Sequence, residues 1–155
     1  MYLNLLAKGM DGRDADAAHP AFVEIVKQLT SEEAGFLKTV LCSHRLLPIV
    51  ELRVTTDASG WKPLYSNFMN PQDLQLAAAT LRIPPLITNW IRLGLIEVTY
   101  HYQLTEASTY NWVTQSPEYK EFRAIIEREN RAGGNNAALQ VERGVLLVTP
   151  LGHAF

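Results

Sequence analysis

The sequence predicts an α+β fold, mainly helical, with a small antiparallel sheet, and two adjacent patterns support this. Residues 84–95 have the pattern of a short amphipathic helix that opens with Pro84 and Pro85 and stops at Gly94. Proline suits the first helical positions because no backbone donor is needed there, and glycine readily takes the left-handed cap. Residues 96–102 then alternate apolar and polar side chains, as in a strand with one buried face. A helix that passes through a glycine stop into such a strand is typical of a winged helix.

Two helices are predicted before the sheet. The first opens at His19-Pro20 and has one apolar face at helical spacing, formed by Phe22, Ile25, Val26 and Leu29. The second follows Thr30, which has capping-box spacing with Glu33, and runs to about residue 43 with a stripe of Ala34, Leu37 and Leu41. Residues 2–7 are apolar and helical with no capping group before them. We therefore expect residues 1–18 to be the end of an upstream helix and a loop, and the chain to be the tail of a longer protein.

The first strand is predicted over residues 48–54, with Val50, Leu52 and Val54 on one side. Residues 55–70 have the composition of a loop. Asn70-Pro71 then has the pattern of a cap and a first-turn proline, and it opens a helix packed through Leu74, Ala77, Ala78 and Leu81. This helix and the one at 84–93 would form a helix-turn-helix pair.

The wing is predicted as a hairpin that carries a long insertion. Its first strand runs to about Leu104, and its second lies between Leu139 and Val148. The insertion, at about residues 105–137, contains a helix that starts at Ser116-Pro117, and Thr149-Pro150 starts a last helical turn. Residues 19–155 are thus expected to form a single winged-helix-like domain.

Composition limits the partners. The chain has 155 residues with 14 basic and 16 acidic side chains, a formal net charge of -2, so no overall positive field draws it to nucleic acid or anionic lipid. Cys42 is the single cysteine, which excludes an intramolecular disulfide and fits a reducing cytoplasm. No stretch approaches the roughly 20 apolar residues of a membrane-spanning helix. We expect a cytoplasmic protein that does not contact the membrane.

The exposed face of the helix at 84–93 is the candidate nucleic-acid surface. Thr88, Asn89 and Arg92 are residue types that bond base edges in the major groove. The charges between residues 71 and 104 cancel, however, and groove-binding domains bring several cations to the phosphates. DNA binding is therefore possible but not favoured, and the alternative is that Arg92 packs and pairs on the surface.

Aromatic residues in segments expected to be loops are the candidate protein-interaction residues. They are Trp61, Tyr65, Tyr110 and Trp112, with Phe68 nearby, and aromatics are common anchors of protein interfaces. The alternative is that they fold back as lids over the sheet. Trp90, on the predicted helix, is expected in the core.

No pattern in the chain indicates catalysis, a cofactor or a metal. The histidines His19, His44, His101 and His153 fall in different elements without ligand spacing, and Gly133-Gly134 lacks the residues of a phosphate loop. Cys42 and His44 at a helix end would point in different directions, so Cys42 is expected to fill core space beside Leu41. We predict no enzyme activity, no cofactor and no small-molecule substrate.

Short motifs in a fixed order across nearly the whole chain carry a family resemblance. They are Leu5-Leu6-Ala7, His19-Pro20-Ala21-Phe22-Val23-Glu24-Ile25 with Gln28-Leu29-Thr30, Asn67-Phe68, Asn89 with Arg92-Leu93-Gly94-Leu95-Ile96, and Leu147-Val148-Thr149-Pro150-Leu151-Gly152 with Phe155. Through these motifs the chain resembles the C-terminal portion of the abortive-infection alpha family. Its members are bacterial proteins linked to phage resistance.

The resemblance implies a role in phage defence but carries over no catalytic residues, because none are defined in the family. Together with the residues above, it predicts a non-enzymatic module that acts through a protein partner or self-association. The alternative is a transcriptional regulator that reads the major groove with the helix at 84–93.

Overall fold

The computed structural model describes residues 20–43, 46–56, 60–74, 83–133 and 136–155. The described elements are α1 (Pro20–Lys27), α2 (Ser31–Leu41), β1 (Leu47–Thr56), β2 (Gly60–Phe68), a 3₁₀ turn (Pro71–Leu74), α3 (Ile83–Arg92), β3 (Ile96–Thr99), two further 3₁₀ turns (Ala107–Tyr110 and Val113–Gln115), α4 (Pro117–Arg131), β4 (Ala138–Val148) and α5 (Pro150–Ala154). The fold is α+β, as predicted. The expected upstream helix and loop, and most of the helix expected after Pro71, lie outside the described residues.

The strands form one four-stranded antiparallel sheet in the order β2-β1-β4-β3. The predicted pairing of the strand after α3 with the returning strand is confirmed, although β3 ends at Thr99 rather than near Leu104. The prediction of a loop over residues 55–70 is wrong, because residues 60–68 form β2. The sequence did not predict β2 for two reasons. The strand contains Pro63, which is tolerated because β2 is an edge strand, and two bulges interrupt the alternation of apolar and polar side chains.

Strand β1 is buried on both faces at its start. Leu47 and Ile49 contact the helices, whereas Val50 and Leu52 point to the opposite face. The sequence assigned one buried side to this strand, and the structure adds the other. Consecutive side chains alternate between faces in a strand, so a continuous apolar run indicates burial on both sides.

Helices α1, α2 and α3 cover one face of the sheet and form the larger core. The predicted apolar face of α1 is confirmed, and Trp90 of α3 is completely buried as expected. Thr30 caps α2 by accepting a hydrogen bond from the amide of Glu33 at 3.1 Å. The Glu33 carboxylate accepts a bond from Asn89 of α3, so this residue of the predicted capping box joins two helices.

The segment between β3 and β4 covers the other face. Its 3₁₀ turns and α4 place Tyr110, Val113 and Phe122 over the even-numbered side chains of β1. Ser116 caps α4 by accepting from the amide of Tyr119, as its position before Pro117 predicts. The predicted insertion thus supplies the second core of the molecule.

The end of α3 is a glycine cap of the predicted kind. Gly94 has a φ of 72°, its amide donates to the carbonyl of Ile91, and the amide of Leu95 donates to Trp90. These two bonds satisfy carbonyls that the helix itself leaves without partners. The chain therefore turns sharply and enters β3 at Ile96.

Candidate functional site

Two of the motifs that carry the family resemblance, one around Gly94 and one around Thr149, meet at the end of α3. The hydroxyl of Thr149 donates to the carbonyl of Gly94 at 2.6 Å and accepts from the amide of Gly152 at 3.0 Å, which caps α5. A Cβ on Gly152 would collide with the carbonyl of Leu95. These residues join the stop of one helix to the start of another, and their role is structural.

The predicted nucleic-acid residues lie within a network that joins α3 to the first two helices. Asn89 donates to the Glu33 carboxylate at 2.7 Å, and the Arg92 guanidinium donates to Asn89 at 2.7 Å and to Gln28 at 2.9 Å. Thr88 accepts a bond from the side chain of Asn67 at 3.2 Å. The polar groups of this helix face are therefore already engaged within the molecule.

The four predicted interaction aromatics divide into two groups. Trp61 lies on β2 and is 56% exposed. Tyr110 is buried, and Tyr65 and Trp112 are partly buried, each with its ring centroid about 5 Å from that of Phe68 (5.1 Å and 4.8 Å). Those three form the layer over the second core, and Trp61 alone of the four presents most of its ring to solvent.

A cluster of charged and aromatic side chains lies where β1 leaves the helices. The face of β1 that carries Leu47 and Ile49 continues with Glu51 and Arg53. We call the group the Arg53 cluster, and it consists of Glu51, Arg53, Trp61, Ser66, Tyr100 and Glu142.

The Arg53 guanidinium is held by two carboxylates. Its Nε donates to Glu51 at 2.6 Å and its Nη1 to Glu142 at 2.9 Å. Glu51 is only 8% exposed and also accepts from the hydroxyl of Ser66 at 2.7 Å. A buried carboxylate needs such partners, because removal from water without them costs several kcal/mol. The guanidinium is consequently fixed in one orientation.

The fixed guanidinium supports the exposed tryptophan. The Cζ atom of Arg53 lies 3.9 Å from the centroid of the Trp61 ring and 5.9 Å from that of Tyr100. A cation over an aromatic face is attracted by the ring quadrupole, by about 0.5–1 kcal/mol at exposed sites. Trp61 is thus an exposed aromatic side chain whose ring is fixed by its contact with the Arg53 guanidinium.

A β-bulge brings Ser66 to this cluster. Val50 pairs with Phe68 and Leu52 with Tyr65, so two residues of β2 stand opposite Glu51. The second, Asn67, has a φ of 55°, which asparagine tolerates better than most residues. Bulges re-aim side chains at functional positions.

Tyr100 closes the cluster beside Gly144. A Cβ on Gly144 would lie 2.5 Å from the carbonyl of Thr99 and 2.6 Å from the Tyr100 ring, so only glycine lets the ring lie on the strand. The Tyr100 hydroxyl accepts from the amide of Asn67 at 3.4 Å. Burial raises the pKa of this hydroxyl to about 12, with smaller opposing effects of Asn67 and Arg53 and smaller additional ones of Glu51 and Glu142.

A cleft of about 450 Å³ borders the cluster. It is lined by Tyr100, His101, Tyr102, Gln103, Val141, Glu142 and Arg143. Tyr102 is 50% exposed, so this side of the molecule presents a second aromatic ring in addition to Trp61.

Cys42, His101 and His153 are the described residues that were considered for catalysis or metal binding. Within the described ranges, no three or more His, Cys, Asp or Glu side chains are arranged to hold a metal ion. Cys42 is exposed at the end of α2, so the prediction that it fills core space is wrong. The helix ends at Leu41, about two residues earlier than predicted, and Cys42 is its C-cap residue. His19 and His44 lie outside the described residues.

Sequence reasoning missed most of the Arg53 cluster. A signal was present, since charged residues at 51 and 53 fall on one side of an apolar strand, which is unusual unless they are paired. Their partners at 66, 100 and 142 come from three other segments, and only the strand register brings them together.

The fold and the cluster define an α+β module with a partly covered antiparallel sheet and an exposed aromatic surface at one end. The model of the family described as abortive infection alpha matches residues 1–155, which is the whole chain rather than a C-terminal portion alone. The chain belongs to this family and is an abortive-infection-related protein.

The fold has a counterpart among solved structures. The structure of an uncharacterized protein from the hydrocarbon-degrading marine bacterium Alcanivorax borkumensis SK2 is similar, with a TM-score of 0.55 and 18% identity, over 86% of this chain and 87% of that one. At this identity the likeness concerns the fold alone. No curated protein matches the chain. No helix in the described part of the chain is long and apolar enough to cross a bilayer.

Proposed function

We propose that this protein acts in phage defence, in the cytoplasm and without catalysis, by docking a protein partner on the surface around Trp61. The observation that carries the proposal is the exposed Trp61 ring held on the Arg53 guanidinium at 3.9 Å. Interface hot spots are enriched in tryptophan and arginine, and a ring fixed before binding loses little conformational entropy on association. Family membership supports the link to abortive infection.

The proposal includes a winged-helix-like fold. The described order α2, β1, α3, β3, β4, with β4 between β1 and β3, is the order of a winged-helix core, to which β2 adds an edge strand. Winged helices serve both as DNA readers and as protein docking modules, so the fold does not decide between them.

The engagement of Asn89 and Arg92 favours the protein-docking function over DNA reading. A helix that reads the major groove needs its polar side chains free for base edges, whereas here they bond Glu33 and Gln28. A gel shift with random duplex at low salt tests the alternative, and we expect no shifted band. Binding that disappears in Arg92→Ala would overturn the proposal in favour of a regulator.

The defence role is testable by phage plating. Bacteria that produce the chain are challenged with a panel of phages, and we expect the unaltered protein to lower the efficiency of plating for at least one of them. Trp61→Ala should abolish this protection because it removes the proposed anchor. Ile91→Ala is the matched control, since it truncates an apolar side chain that is 38% exposed on α3 and does not belong to the Arg53 cluster.

Two outcomes would contradict the proposal. One is an absence of protection by the unaltered chain across the panel, and the other is full protection by a folded Trp61→Ala variant, with folding checked by circular dichroism. Sedimentation of the purified protein distinguishes the two kinds of partner, because a second copy of the chain would give a concentration-dependent mass that Trp61→Ala reduces.

A further inference from the structure

Strand β4 is much longer than its neighbour β3, and part of its edge is open. Residues 138–146 pair with β1 on one side, but pairing with β3 covers only residues 145–148. Among the described residues, no strand pairs with the stretch 138–143 on the side away from β1. The chain leaves this position after Tyr100, where the amide of His101 donates to the Thr99 hydroxyl instead of to β4.

The backbone groups on the open edge can be assigned. The amide of Thr149 donates to the carbonyl of Leu95 at 3.1 Å, so the groups of Thr149 face the side of β3. Backbone direction alternates along a strand, and the odd-numbered residues of β4 therefore face this side. β3 pairs with Leu147 and Val145, which leaves the amides and carbonyls of Arg143 and Val141 facing no strand. The position of Pro48 is consistent with this assignment. It lies opposite Val145 on β1 and has no amide to donate, and the backbone groups of Val145 face β3 instead.

The cleft of about 450 Å³ lies along this edge. Its lining includes Glu142 on one face of β4 and Val141 and Arg143 on the other. Neighbouring residues of a strand point to opposite faces, so a cleft that both line must wrap around the strand edge. The opposite wall is the diverging segment from Tyr100 to Gln103. The space has the position that β3 would occupy if it continued.

One cation at this edge, Arg143, has no carboxylate partner among the described residues. Glu142 is already paired with Arg53, whereas no carboxylate of the described residues lies within ion-pair distance of Arg143, whose guanidinium is 5.5 Å from the Tyr110 ring centroid. An added strand would therefore meet an unpaired guanidinium and the imidazole of His101. An acidic side chain complements both.

We propose that an extended, acidic segment of a partner protein binds here as an additional strand, antiparallel to β4 at residues 139–143. Main-chain bonds to Val141 and Arg143 would provide affinity, and a carboxylate placed near Arg143 would provide specificity. The inference rests on the proposed function, because it names the chemistry of the partner segment beside the Trp61 surface.

The test uses synthetic peptides with the full chain. The probe is acetyl-Thr-Val-Asp-Val-Thr-Ile-Ser-amide, and binding is measured by calorimetry. Two further versions carry N-methyl groups at either the even or the odd positions. A strand added at a single edge uses one alternate set of amides, so one version should bind at least about tenfold more weakly and the other nearly as well as the probe. Equal binding of both versions, or no binding of the unmodified probe, would overturn the inference.

Charge provides an independent readout. Replacing Asp by Lys in the probe should weaken binding to the natural chain, and Arg143→Glu should reverse that preference. Lys120→Glu is the matched control, since it makes the same change of charge at an exposed position of α4. If the probe fails while Trp61→Ala still abolishes phage protection, the edge inference falls and the proposed function stands. If the probe binds as expected but Trp61→Ala protects fully, the reverse holds.

Discussion

Two arginines of this chain have opposite surroundings, Arg92 at the end of α3 and Arg53 in the middle of β1. Arg92 is exposed and donates to the neutral amides of Asn89 and Gln28, in a network that ties helices together. Arg53 is largely buried, with 15% of its side chain exposed. It is paired with two carboxylates and lies against the ring of the exposed Trp61. The sequence singled out Arg92 as the candidate contact residue, but in the structure it is Arg53 that supports an exposed side chain, the ring of Trp61.

The difference shows that the neighbours of a guanidinium, more than its exposure, determine what it is available for. Arg92 uses its donors within the molecule, so its exposure does not leave it ready for a ligand. Arg53 uses its donors too, but in doing so it orients Trp61, which remains free. A residue on a well-covered strand can thus organise a surface that it does not itself form.

The largest expected effect is the loss of Glu51. Glu51→Ala removes one carboxylate from Arg53 and leaves the Ser66 hydroxyl without its acceptor. Breaking a buried ion pair costs about 3–5 kcal/mol, and because Glu142 keeps one contact with Arg53 we expect about 2–4 kcal/mol here. Urea unfolding followed by circular dichroism measures the change.

Glu127→Ala is the control for that experiment. It breaks the pairs of Glu127 with Arg123 and Arg131, both of which are solvent-exposed and span one helical turn of α4. We expect no resolvable change in the unfolding midpoint. Equal effects of the two substitutions would show that Glu51 is not the buried support that the geometry indicates.

Gly144→Ala should have the next largest effect. The added methyl group would lie 2.5 Å from the carbonyl of Thr99 and 2.6 Å from the Tyr100 ring, and one of these is backbone that cannot move aside cheaply. Overpacking of this kind costs about 1–3 kcal/mol. Thermal unfolding gives the change, and Gly35→Ala, on α2 with open space around it, is the control that should not destabilise the protein.

How much of this could be predicted depends on the range of the interactions. The glycine stop at Gly94, the caps at Thr30 and Ser116 and the apolar face of α1 are local in sequence, and the structure confirms them. Strand β2 was missed because Pro63 and two bulges mask its period, and its pairing with β1 is a tertiary effect. Local rules do not contain that information.

The candidate site was less predictable than the fold. Of the aromatics expected to contact a partner, Trp61 is exposed, while Tyr110 is buried in the second core. There its hydroxyl donates to the carbonyl of Gly144 and accepts from the amide of Leu104. Nothing in a single sequence states that bond. The Arg53 cluster likewise joins positions up to 91 residues apart, from Glu51 to Glu142 (142 − 51 = 91), and no spacing rule links them.

Substitutions at Asn89 and Arg92 should have smaller and unequal effects on the free energy of unfolding. Asn89→Ala leaves the buried carboxylate of Glu33 without the donor that now lies 2.7 Å away, whereas Arg92→Ala removes only exposed donors to neutral groups. We expect about 1–3 kcal/mol for the first and no more than about 1 kcal/mol for the second, by urea unfolding. Equal costs would mean that the exposed Arg92 guanidinium stabilises the fold as much as the Asn89 amide that bonds the buried Glu33 carboxylate.

The effect that is smallest at neutral pH is a pH dependence from Tyr100. Because its pKa is raised from 10.0 to about 12 in the folded protein, the neutral hydroxyl stabilises the fold fully below pH 10, and this contribution is lost as the pH rises from 10 towards 12. Tyr100→Phe lacks the ionisable group, so its unfolding midpoint should fall less than that of the natural chain over this window. The absorbance of tyrosinate provides a second readout. The natural chain should show a hydroxyl that ionises near pH 12, and Tyr100→Phe should lack it. Tyr65, whose pKa is raised by burial and by Glu118, is present in both proteins and cancels in the comparison. Parallel pH profiles would show that Tyr100 ionises as an ordinary surface tyrosine. Its hydroxyl would then be in contact with solvent and not buried beside the Arg53 cluster.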